Sequence, residues 1–347
     1  MKKSFRILNL IALSLVVLVL IGISSLSAFE VERNRLGEEL GSSEASLQGV
    51  IEVWNIDTFS GGSISKTDYL NSIARRFEAN NKGLYICVKN VTIDELSLSI
   101  QSGKKPSVVS FGYGVGDIVK PILSVIDFNC NDVKEEVLNS AKVEDKLFAV
   151  GYAMGGYAFF STSEKLLKAS KENTISLSES FETCGYNVEL KKRTKHIYGL
   201  CYGKSDYISP ADCINGRGLG EVYVSTDEYN AYVDFISLNM STILLGTQRD
   251  LVKLRGKLDR GMIEDLILEP VKPYNDLIQY AGIVSGQDEL YNKYAKLFVE
   301  FLMCESSQKE LGGSGMFSTT INNLYQDIDF KRLEEAAWAT TNIPNVF

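Results

Sequence analysis

Residues 50–54 alternate around β-branched positions and predict a strand, which runs out into Asn55, Ile56, Asp57, Thr58 and Phe59 and the loop Ser60-Gly61-Gly62-Ser63. Residues 67–80 predict a helix, because Tyr69, Leu70, Ile73, Ala74 and Phe77 recur at three- and four-residue spacing before Asn80 to Gly83 stop it. A second strand over 84–91, a second helix over 93–102 and a third strand over 107–111 follow. Strand, helix, strand, helix, strand is the order of right-handed crossovers in a parallel sheet.

The middle of the chain is less regular. Residues 147–152 and 156–161 read as strands around Gly155-Gly156, with a helix over 163–170. Residues 185–220 are rich in Gly, Tyr, Ser and Cys and read as short strands and loops. A helix is expected over 225–239, and a short strand over 243–245 delivers the polar run from Gly246 to Asp250 ahead of a helix or turn over 251–261. Beyond it come a strand over 278–284, an amphipathic helix over 288–303 and a short helix over 329–339. Leu290, Tyr294, Leu297, Phe298, Phe301 and Leu302 share one face of the longer helix.

At the N-terminus, Lys2, Lys3 and Arg6 precede an apolar run over residues 7–23, with small residues at 24–28. This is the build of an export signal. The run is also long enough to cross about 30 Å of hydrocarbon, so residues 1–28 are either a cleaved signal or a retained anchor. Residues 29–48 read as a tether. An extracytoplasmic protein is expected, secreted or held at the outer face of the cytoplasmic membrane.

Composition narrows the function classes. With 347 residues, 45% apolar and 23% charged, the chain has the makings of one large or two moderate folded domains. Thirty-six Lys and Arg against 44 Asp and Glu give a net charge of -8, which argues against a nucleic-acid partner. One His, His196 within a basic cluster at 191–195, removes multi-His metal sites and reads as a solvated surface residue. No cofactor is expected. Cys184, Cys201 and Cys213 fit no short metal spacing; they read as one disulfide among the three or as buried thiols.

No phosphate-loop or nucleophile-elbow motif is present, and Gly112 to Gly116 has the wrong spacing for a dinucleotide turn. The pairs Glu135/Glu136 and Glu334/Glu335 read as solvated helical faces. The more telling residues follow strands, where ligands collect in open α/β sheets. Trp54, Asp57 and Phe59 follow the first strand and Tyr113 the third; rings and carboxylates together suit a sugar. Arg249, after Thr247 and Gln248, is a candidate for holding an anion or for an ion pair between lobes.

Several segments resemble the extracellular solute-binding proteins of bacterial ABC importers, in the sugar- and oligosaccharide-binding branch (family 1 type). They are Ile51 to Trp54, Ala74 to Asn80, Lys105 to Phe111, Leu147 to Tyr152 with Gly156 to Ala158, and Tyr294 to Leu302 with Gln308 and Gly315. Ser107 and Gly151 depart from the family's usual Asp and Pro, and its lipid-bearing Cys is missing. The resemblance implies a periplasmic-binding-protein-like α/β fold. Two lobes, each a mainly parallel sheet flanked by helices, would be joined by crossover hinge strands and close on ligand. Residues 49–152 with 278–323 would form lobe 1, and 153–277 with 324–347 lobe 2. Trp54, Asp57, Phe59 and Tyr113 would then face Thr247, Gln248 and Arg249, with Tyr152 near the hinge. A monomeric, non-enzymatic protein handing a saccharide to ABC permease subunits is expected. A membrane-anchored sensor of the same fold and an exported glycan hydrolase are the alternatives.

Overall fold

The computed structural model describes residues 49–166, 198–215 and 222–347. The expected export segment, the tether, Cys184, His196 and the end of the helix expected over 163–170 lie outside the described residues. Among the described residues no helix is long and apolar enough to cross a membrane.

The chain opens with β1 (Gly49–Asn55), α1 (Lys66–Asn80), β2 (Leu84–Asn90), α2 (Ile93–Gln101) and β3 (Val108–Gly112). β1 pairs in parallel with both β2 and β3, as the crossover pattern requires. The periodic residues of α1 are its buried ones, and Phe77 meets Phe298 edge-on with centroids 5.5 Å apart. Ser65 and Thr92 cap α1 and α2 through their side-chain oxygens. The short helices α3 (Gly116–Val119) and α4 (Glu135–Ser140) and the hairpin β4 (Lys142–Val143)/β5 (Lys146–Leu147) lead to β6 (Val150–Met154).

At Gly155-Gly156 the chain leaves this sheet and enters a second one through β7 (Tyr157–Ser161), β8 (Tyr198–Gly203), β9 (Val222–Ser225), α5 (Glu228–Ile236), β10 (Ser241–Thr247), α6 (Gln248–Leu258) and β11 (Ile267–Pro270). It returns with β12 (Ile278–Ile283), followed by α7 (Glu289–Met303), α8 (Glu305–Ser314), β13 (Phe317–Ser318) and α9 (Ile328–Ala339). The strand orders are β13-β6-β12-β3-β1-β2 and β11-β7-β10-β8-β9.

Both sheets are mixed rather than mainly parallel. The pairs β1–β2, β1–β3, β8–β9 and β8–β10 are parallel, whereas β7, β11, β12 and β13 pair antiparallel. The reason is connectivity: strands that follow a lobe crossing enter their sheet from the opposite end. Helix α9 packs on α6, β7 and β11 of the second lobe. The last residues then return to the first, where Val346 N donates to Ser140 O and Phe347 meets Phe111 at 5.9 Å.

Two expectations change, and a third, left open between a disulfide and buried thiols, narrows. Residues 305–314 form a helix beyond the one expected over 288–303; Gln308 is buried there and donates to Tyr152 O and Leu302 O. Glu334 is buried rather than solvated, accepting the backbone N–H groups of Leu324 and Tyr325. Among the described residues no disulfide joins Cys201 to Cys213, and Cys201 Sγ lies 2.8 Å from Ser241 Oγ.

Candidate functional site

A cavity of about 630 Å³ opens between the two sheets. Its first-lobe wall is one continuous stretch, Asp57 to Lys66, running from the end of β1 into the first turn of α1. The second-lobe wall comes from the carboxyl ends of three strands. Lys204 to Tyr207 follow β8, Asp227 to Tyr229 follow β9, and Arg249 and Lys253 follow β10 on α6. A ligand here would sit where α/β sheets hold ligands, in a volume ordinary for a small-molecule site.

Two hydrogen-bonded networks shape the walls. On the first lobe, Lys66 is fully buried; its Nζ donates to Phe59 O, lies 3.2 Å from Asp57 Oδ1 and sits 3.8 Å from the centroid of the Phe59 ring. Burial pulls the Lys66 pKa down, and Asp57 pulls it back up. On the second lobe, Thr247 caps α6: its Oγ1 accepts from Arg249 N and its own N–H donates to Asp250 Oδ2 at 3.0 Å. Arg249 Nη1 donates to Asp250 Oδ1 at 3.0 Å and lies 4.0 Å from Glu228 Oε2. Burial pushes Asp250 up against the pull of Arg249. It pushes Glu228 up to about 7, with Asp250 adding to the rise and Arg249, Lys66 and Lys253 opposing it.

Aromatic surface faces the cavity from the second lobe. Tyr229 is 60% exposed, Tyr207 is half-buried and also lines the cavity, and Lys253 Nζ stands 5.5 Å from the Tyr229 ring and 5.3 Å from that of Tyr232. Exposed tyrosine faces, carboxylates and loop hydroxyls at Ser60, Ser63 and Ser205 can stack on and hydrogen-bond a polyhydroxylated ring. Among the described residues no group of three or more His, Cys, Asp or Glu side chains converges as for a metal ion.

Of the residues singled out from the sequence, Asp57, Phe59 and Arg249 line the cavity. Phe59 does so only at its margin, since its ring is 4% exposed and packs with the core of the second lobe. Arg249 is held by two internal carboxylates rather than offered to a ligand. Trp54 belongs to the first-lobe core and its Nε1 donates to Glu52 Oε2 at 3.0 Å. Tyr152 is fully buried, stacked on Tyr69 with its hydroxyl 3.0 Å from Ser110 Oγ. Thr247 is a helix cap and Gln248 a buried bridge between lobes. Tyr113 stands outside the lining, although its neighbour Gly114, with φ +85°, touches the second lobe: a Cβ there would fall 3.1 Å from the Tyr207 backbone.

Lys66, Lys204, Tyr207, Asp227, Glu228, Tyr229 and Lys253 were not anticipated. The strand-end rule would have found those that follow β8 and β9, had β8 been recognisable in the irregular composition of residues 185–220 and β9 just beyond it.

No family model matches the chain, and no curated protein matches it by sequence. Solved structures do match in fold. The GacH receptor of Streptomyces glaucescens, solved unliganded and with acarbose, superposes with a TM-score of 0.61 at 15% identity, over 86% of this chain and 89% of that one. An ABC substrate-binding protein from Listeria monocytogenes in complex with cycloalternan gives 0.56 at 12% identity, over 86% and 88%. The maltose/maltodextrin-binding domain MalE from Bdellovibrio bacteriovorus bound to maltotriose gives 0.53 at 14% identity, over 86% and 89%. The chain has the two-lobed, periplasmic-binding-protein-like fold of these proteins.

Proposed function

We propose that this chain is an extracellular solute-binding protein that captures a saccharide between its lobes and delivers it to an ABC importer. The observation that carries the reading is the interlobe cavity, walled by the carboxyl ends of strands from both sheets and carrying tyrosine faces opposite a polar loop. The likeness in fold to receptors solved with acarbose, cycloalternan and maltotriose supports it. The protein is non-enzymatic in this account. It works as a monomer outside the cytoplasmic membrane, tethered or released by its N-terminal segment, with permease subunits as partners. Tyr229 and Tyr207 stack on the ligand, while Asp57 and the serines of the first-lobe loop accept hydrogen bonds from its hydroxyls. Closure is driven only by the ligand's greater affinity for the closed state.

Delivery is tested by uptake. Cells lacking the chain should lose uptake of labelled saccharide that the purified chain binds, and undiminished uptake would contradict the proposal. Glu228 borders the cavity, and burial pushes its carboxyl up to about 7, so it is the group that the hydrolase alternative would use as general acid. Turnover of an oligosaccharide that disappears in Glu228→Gln would move the assignment there.

A further inference from the structure

The first-lobe wall of the cavity contains no helix or strand between Asp57 and Ser65, yet a binding site needs its polar groups held in place. One side chain reaches two of its residues at once. Lys66 has no exposed surface on its side chain, donates to the Phe59 carbonyl and pairs with Asp57, whose own side chain is 36% exposed. The same ammonium covers one face of the Phe59 ring, which packs into the second lobe's core.

The placement works against stability on two counts. A cation in the first turn of a helix opposes the helix dipole, and α1 begins at Lys66. Burial of an ammonium disfavours its charged form, and burial is the main influence on Lys66. A methionine would fill the same space without either cost, so what the lysine adds is its hold on the loop.

We propose that Lys66 is a positioning residue of this wall: it fixes the turn from Asp57 to Phe59, so that the carboxylate faces the cavity and the ring faces the second lobe, while Gln248 holds the next two residues, Ser60 and Gly61, from the second lobe. That the carboxylate is set for a ligand rests on the saccharide reading above.

The test uses the full chain in mild detergent, with Lys66→Met, Asp57→Asn and the double variant. Hydrogen exchange without ligand should rise at least tenfold in peptides covering 57–65 of Lys66→Met, with β3 and β10 unchanged and the thermal midpoint no lower. Maltotriose affinity should fall at least tenfold in each single variant, and the double variant should be no weaker than either. Unchanged loop exchange, exchange rising throughout the chain, or losses that multiply in the double variant would overturn the proposal. If the unaltered chain binds no maltotriose while the loop responds as stated, the hold on the wall stands and the saccharide reading loses support. Should Lys66→Met not fold, Lys66→Gln serves the same exchange measurement.

Discussion

Gln248 Nε2 donates to Ser60 O at 2.9 Å, joining the first residue of α6 in the second lobe to the cavity loop of the first. The same amide donates to Gly61 O at 3.1 Å and accepts from Gly156 N, on the first crossover, at 3.0 Å. Gly155 beside it has no room for a side chain, because a Cβ would fall 2.5 Å from Gln248 Oε1. One buried side chain thus fastens together a hinge segment, a wall of the cavity and the helix opposite.

Gln248→Ala should therefore act on stability and on lobe arrangement together. It leaves Gly156 N and two carbonyls without their partner, at about 1–3 kcal/mol for an unsatisfied buried group. Urea denaturation checks the loss of stability. Small-angle scattering of the ligand-free variant should show a larger radius of gyration, and an unchanged radius would mean that other contacts hold the lobes.

The amphipathic helices and the βαβαβ start were legible because a partly exposed helix declares its buried face by spacing, as Tyr69, Leu70, Ile73 and Phe77 do. The sequence leaves Trp54 open between core and cavity wall. In a central strand both faces are covered, and Val53, Trp54 and Asn55 are all buried in succession, so alternation carries no information about direction. Gln248 was hidden for another reason: Thr247 and Asp250 form a capping box that starts α6 three residues earlier than the apolar pattern suggests. The loop from Asp57 onward followed directly from the strand-end rule. In the second-lobe wall Arg249 followed in the same way from the strand ahead of it, whereas the residues after β8 and β9 did not, because those two strands carry no clear periodicity.

Trp54→Ala is expected to damage the fold before it touches binding. Truncating a buried aromatic side chain costs about 3–5 kcal/mol, and Trp54 is 7% exposed within the first-lobe core. Chemical denaturation should show that loss. A variant of native stability that no longer binds saccharide would instead put the indole in the site.

Arg249→Ala should likewise read out first as instability. It leaves Asp250, 3% exposed, without the guanidinium 3.0 Å away, and breaking a buried pair costs about 3–5 kcal/mol. Arg249→Met/Asp250→Leu, which removes both charges, should recover much of it. Equal stability of the single and double variants would show that the pair is not coupled.

Glu228 predicts a pH dependence of definite sign. Its carboxyl rises from 4.5 to about 7 in the folded chain, chiefly through burial. Between those values the folded chain keeps a proton that the unfolded chain has released. This group's contribution to stability therefore falls as pH rises from about 4.5 to 7 and is level above that. Denaturation of Glu228→Gln across the same range should lack this slope, and parallel curves for the two proteins would contradict the assignment.

A saccharide held in the cavity between the lobes should stabilise the folded chain. The most direct measurement is thermal unfolding of the full chain with maltotriose, acarbose and cycloalternan, alongside amino acids and inorganic phosphate. A saccharide at about 100 times its dissociation constant should add about 2.7 kcal/mol of stability, and Tyr229→Ala, at a 60% exposed position, should keep its own midpoint while losing most of that gain. A gain with amino acids or phosphate alone, or none with any saccharide, would contradict the account.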